Sequence, residues 1–83
     1  MDDAGPDREF DGPLEGRYAN YFKIGYNAFE FLLDFGQWHP EDAAERLHTR
    51  IITGPMYVKT FLRLLGDAVR HYETTFGAIE GER

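Results

Sequence analysis

The chain contains neither cysteine nor serine. Without cysteine there is no disulfide framework and no thiolate metal site. Without serine, every mechanism built on a serine nucleophile is excluded. Long apolar runs are missing as well: nothing approaches the ~18–20 residues of a membrane-spanning helix. No basic-then-apolar stretch follows Met1, so the sequence reads as cytoplasmic, with no membrane partner. Positive charge is scarce, nine Lys plus Arg against fifteen Asp plus Glu, for a net of −6. That balance disfavours nucleic acid, which asks for a clear positive excess.

What is present is 83 residues, 42% hydrophobic and 16% aromatic, the make-up of one small globular domain. The acidity is unevenly placed. Residues 1–16 hold six acids (Asp2, Asp3, Asp7, Glu9, Asp11, Glu15) and one base (Arg8), a local net of −5 that leaves −1 for residues 17–83. The same segment carries Gly5, Pro6, Gly12, Pro13 and Gly16, and only Phe10 and Leu14 have apolar bulk to bury. That is too little to offset the entropy of ordering it. Residues 1–16 are therefore expected to form a disordered, solubilising leader, and residues 17–83 a single domain.

Within that domain, hydrophobic periodicity changes once. Over 17–26 the residues Tyr18, Asn20, Phe22, Ile24 and Tyr26 alternate with Ala19, Tyr21, Lys23 and Gly25, a period-two pattern that predicts a strand. Asn27-Ala28 makes the turn, since Asn tolerates the positive φ of a tight hairpin. A second strand is expected over 29–37, with Phe29, Phe31, Leu33 and Phe35 on one face and Glu30, Leu32, Asp34 and Gly36 on the other. Gly36 marks a strand end or a bulge. Residues 38–46 read as a connection broken by Pro40, with one helical turn over 41–44. A third strand follows over 47–53, completing an antiparallel meander.

From residue 55 the period becomes helical. Gly54 serves as N-cap, Pro55 fits the first helical position, and Gly77 fits the residue beyond the end. Val58, Phe61, Leu62, Leu65, Ala68, Val69, Tyr72 and Phe76 form one stripe of a helix about 33 Å long. Such a helix is long enough to lie across a three-stranded sheet. It can cover only one face, however. Tyr21, Leu32 and Ile52 belong to the other face, and Tyr57 and Leu64 form a shoulder beside the helical stripe. Surplus apolar surface of this kind points to an interaction surface, most simply between copies in a dimer or higher oligomer. Trp38 adds an anchor of large contact area.

Several runs resemble a known family. They are Arg17-Tyr18-Ala19-Asn20-Tyr21-Phe22, Glu30-Phe31-Leu32-Leu33-Asp34-Phe35-Gly36-Gln37, Arg50-Ile51-Ile52, Pro55, Lys59, Leu62, Leu65, Tyr72-Glu73 and Phe76-Gly77. Together they resemble the small prokaryotic proteins grouped as domain of unknown function 3467. The resemblance covers nearly all of residues 17–77 and spares the leader. It implies a fold and a localisation but no chemistry. In layout alone, strands followed by a long helix are also similar to export chaperones of the SecB type.

The titratable residues give little support to catalysis. Glu30 and Asp34 share a face but sit ~13 Å apart along a strand, beyond the ~5–9.5 Å of a glycosidase pair. Pairing of these carboxylates with Lys23 or Arg50 across the sheet is the expected alternative. His39, Glu41, Asp42 and His48 surround the connection without regular metal-ligand spacing, so no metal or cofactor is expected. His71, four residues after Asp67, is placed for an ion pair on the helix. Lys59, Arg63 and Arg70 line one helical flank as possible anion contacts, beside strand residues Arg17, Lys23 and Arg50. The expectation is thus an α+β domain, an antiparallel meander of three strands and one long C-terminal helix. Its expected role is that of a non-enzymatic homo-oligomeric interaction module, such as an adaptor, assembly factor or chaperone-like protein, acting on a further protein partner. The alternatives are a nucleic-acid binder using the basic flank and a small enzyme or metal-binding protein using Asp34, His39 and His48.

Overall fold

The computed structural model describes residues 13–81. Most of the leader, residues 1–12, lies outside the described residues, while residues 13–16 are exposed and belong to no strand or helix. Three strands and one helix follow in order: β1 (Tyr21–Tyr26), β2 (Phe31–His39), β3 (Ala44–Thr53) and α1 (Pro55–Phe76). The strands form one antiparallel sheet in the order β1-β2-β3, so β2 is central. This is the α+β layout that the change of period predicts.

The first hairpin is closed by Asn27, through its side chain. Asn27 Oδ1 accepts the backbone N–H groups of Phe29 (2.7 Å) and Glu30 (3.0 Å), and Asn27 N–H donates to the Glu30 carbonyl. The expected positive φ is not used here; among the described residues other than glycine, Ala43 adopts one, at 49°. The capping amide satisfies two turn donors that would otherwise need water. The expected long connection shrinks to a turn over 40–43, because β2 runs on to His39 and β3 already starts at Ala44. Ala43 N–H bonds back to the Pro40 carbonyl, and no helical turn forms.

Register fixes which side chains share a face. Phe22, Ile24 and Tyr26 of β1 stand opposite Phe35, Leu33 and Phe31 of β2, and Leu33 stands opposite Ile51 of β3. These residues make one aromatic face, on which Phe22 meets Phe35 edge-on at 5.8 Å and Tyr26 meets Phe31 at 5.5 Å. The other face carries a central row, Lys23, Asp34 and Arg50, in direct cross-strand register. We call it the charged face.

A bulge interrupts the β2–β3 ladder, as Gly36 foretells. Phe35 pairs with Thr49 and Gly36 with Leu47, which leaves His48 as the extra residue. A Cβ on Gly36 would lie 2.1 Å from the Arg46 carbonyl oxygen and 2.7 Å from Leu47 Cα, so only glycine fits.

The helix begins and ends where Gly54-Pro55 and Gly77 place it. Gly54 is extended (φ −84°, ψ 160°), the conformation favoured before proline, and offers no side-chain cap. Gly77 has φ 99°, and its N–H donates to the Glu73 carbonyl. Glu73 Oε2 takes one more donor, the N–H of Ile79, at 2.9 Å. The expected covering of the sheet does not occur. The strands pack on one another, β2 against β3 above all, while α1 scarcely touches them and contains no buried residue. Gly54 is the one residue between β3 and Pro55. Proline restricts it to extended backbone, which carries the chain onward from the strand instead of turning it back over the face.

Candidate interaction surfaces

Among the described residues, Leu33 is the only buried hydrophobic one, at 8% exposure. Large side chains elsewhere stay open: Phe22 is 57% exposed, Tyr26 75% and Ile24 65%, all on the aromatic face. On α1, residues at 100° steps place Leu64, Tyr57, Ala68, Phe61, Tyr72, Leu65, Val58, Phe76, Val69 and Leu62 on one arc of about 160°, with Thr75 as its polar member near the margin. The expected shoulder, Tyr57 and Leu64, is thus the margin of a single broad apolar surface. That surface is bare along its length, with Leu62 and Phe76 each 69% exposed. Within it the Tyr72 and Phe76 rings meet at a tilt of 45°, with centroids 4.9 Å apart.

The charged face brings four of the expected contact residues together. Leu32 and Ile52 are cross-strand partners at one end, and Tyr21 and Trp38 lie at the other, beside Leu47 and Glu45. Between them Arg50 grips Asp34 through two bonds, Nε to Oδ1 at 2.8 Å and Nη2 to Oδ2 at 2.9 Å. Hydrogen bonding from Arg50 holds the Asp34 carboxyl below its ordinary range against the opposing effect of burial, and the charges of Arg50 and Lys23 add to the lowering. Arg50 is raised in turn by the same bonds. At the far end, hydrogen bonding to Glu45, then burial and the Glu45 charge, push the Tyr21 phenol up. The face is thus a charged strip flanked by Leu32 and Ile52 at one end and by Tyr21, Leu47 and Trp38 at the other.

One clasp at this end was not legible in the sequence. The stretch over 17–20, expected to belong to β1, leaves the ladder. Asn20 N–H donates to the Gly36 carbonyl (2.9 Å), while Asn20 Oδ1 accepts the Trp38 N–H (2.8 Å). The Tyr18 carbonyl lies 3.0 Å from His48 Nε2, and Arg17 Nη1 donates to the His48 carbonyl at 3.4 Å. Because β1 and β3 are opposite edges, a chain bonded to β2 at Asn20 and to β3 at Tyr18 must cross the end of β2. The bulged residue His48 is its anchor, held also by Thr49 Oγ1 at 2.7 Å from Nδ1. Spacing rules see neighbours along one strand; they do not see partners 30 residues apart.

The residues considered for chemistry are dispersed or already engaged. His48 is occupied by the clasp, Asp34 by Arg50, and His39 ends β2 opposite Ala44. Among the described residues no group of three or more His, Asp or Glu side chains could hold a metal ion. On the helix, Asp67 binds Arg70 and lies 4.0 Å from Arg63, so these arginines, and not His71, take its carboxylate. Of the three expected anion contacts, Arg63 and Arg70 therefore share an acid, while Lys59 borders an open dent with Thr60, Leu62 and Arg63. Among the described residues no helix is long and apolar enough to cross a membrane.

No curated protein and no solved structure matches the chain. Residues 11–81 do match a family, described as "Protein of unknown function (DUF3467)". The match takes in the clasp, all three strands and the whole helix, and on that ground the chain belongs to the DUF3467 family.

Proposed function

We propose that the protein is a non-enzymatic, homo-oligomeric protein-interaction module of the adaptor, assembly-factor or chaperone-like kind, working in the cytoplasm. One observation carries this reading: Leu33 alone among the described hydrophobic residues is buried, while a 22-residue amphipathic helix lies bare. Burying one leucine contributes about 1.5–3 kcal/mol, against about 1–2 kcal/mol of backbone entropy for each residue ordered. A lone copy therefore lacks the core that its regular structure requires, and another polypeptide must supply it. Tyr57 and Leu64 belong to the surface that joins copies. Tyr21, Leu32, Trp38 and Ile52 offer a contact area for a further protein partner, with Trp38 as anchor.

Light scattering coupled to size exclusion tests the reading. A mass of two or more copies is expected at micromolar concentration, lowered by Leu64→Glu and left unchanged by Leu32→Glu, since Leu32 lies on the partner surface. A well-folded single copy would overturn the proposal, and wild-type mass in Leu64→Glu would overturn its choice of surface.

A further inference from the structure

Accepting self-association, the geometry points to how two copies meet: we infer a reciprocal dimer in which the helix of each copy lies along the aromatic face of the other's sheet. Three observations support this arrangement. First, the widths agree. A helix of 22 residues is about 33 Å long and 10 Å wide. Three strands make a face about 10 Å between its outer axes, and its aromatic part, Phe31 to Phe35 of the central strand, runs for about 16 Å, or three turns of that helix.

Second, the two apolar surfaces of one copy are kept apart. Gly54, extended and followed by Pro55, directs α1 away from its own sheet, so neither surface can cover the other without rebuilding that joint. A second copy presents both missing surfaces at once. Third, the area suffices. With about 200 Å² for a large exposed side chain, the bare helical arc offers roughly 870 Å² and the open aromatic face roughly 490 Å². The smaller surface limits each contact, so two reciprocal contacts bury roughly 2,000 Å², at the lower bound of the ~2,000–5,000 Å² of obligate homodimers.

Helix-to-helix pairing alone would leave Phe22, Ile24, Tyr26 and Ile51 in water. Sheet-to-sheet pairing alone would leave the helix bare. Either would need a second, different interface, whereas the reciprocal contact closes with a single two-fold axis. The charged face stays outside the dimer and remains free for a partner.

Nuclear Overhauser measurement on a mixture of isotope-labelled and unlabelled full-length chain decides the matter, with mass measured on the same sample. The expected result is a dimer mass with cross-peaks between copies from Leu62, Leu65 and Val69 methyls to Phe22 and Tyr26 rings, absent from uniformly labelled controls filtered the same way. A dimer mass with cross-peaks between copies joining only helix to helix would overturn the reciprocal arrangement and leave the oligomer intact. So would a dimer mass in which helix-to-sheet cross-peaks arise within one copy. The mass of a lone chain would instead remove the reading on which this inference rests.

Discussion

Gly36 and Asp34 sit side by side on β2 and constrain the sheet in different ways. Gly36 is held by backbone, since a methyl group there would press on the Arg46 carbonyl oxygen and on Leu47 Cα. Neither is the movable end of a side chain, so the bulge itself must shift. Gly36→Ala is expected to destabilise by about 1–3 kcal/mol, with release of the clasp, and denaturant unfolding measures it. Asp34 is held by charge. Its folded carboxyl lies below the unfolded value because Arg50 bonds the ionised form. Its contribution is therefore whole above the ordinary carboxylate range and is lost as the pH falls through the lowered folded value. Asp34→Asn should flatten the acid limb of a plot of melting temperature against pH. An unchanged acid limb would show that other carboxylates govern it.

At the scale of elements, the two hairpins and the helix rest on local devices of unequal strength. Asn27 gathers two backbone donors on one oxygen, so Asn27→Ala is expected to cost about 1 kcal/mol, read from the shift in unfolding midpoint. The helix has fewer such supports: no side-chain cap, no acid in its first turn and no base in its last. Its stability must come mainly from what covers its apolar arc. Gly66 lies off that arc, with nothing nearer to an added methyl than Arg70 Nη1 at 3.7 Å. Gly66→Ala should accordingly stabilise by about 1 kcal/mol. A loss of stability there would reveal a second chain pressed against the helix backbone at that point.

The molecule as a whole poses a question of concentration. If the core is shared between copies, folding and association are one equilibrium, and tenfold dilution removes about 1.4 kcal/mol from the folded dimer. The thermal midpoint is then expected to fall with dilution, which calorimetry at several concentrations measures. A midpoint independent of concentration would mean that each copy is stable alone. The same view separates the surfaces by task. The aromatic face and the helical arc are mainly apolar, with Thr49 and Thr53 on the one and Thr75 on the other, and suit permanent burial, while the charged face, with its Lys23–Asp34–Arg50 strip, suits a partner that comes and goes.

The sequence by itself determined the local features. Gly54-Pro55 and Gly77 bound the helix, period-two alternation laid out the strands, and Gly36 announced the bulge, because each depends on a residue's own backbone freedom or on its near neighbours. Tyr21 and Leu32 also fell on one face for the same reason, since alternation assigns faces before any packing is known, whereas Trp38, expected in a connection, joins them because β2 runs on to His39. Only the tertiary structure decided that the helix stands away from its sheet, that Arg17 to Asn20 cross over β2 to His48, and that Asp67 chooses arginines over His71. Those outcomes rest on the direction in which one extended joint sends 22 residues and on partners as far as 31 residues apart, and no pattern read along the chain encodes either.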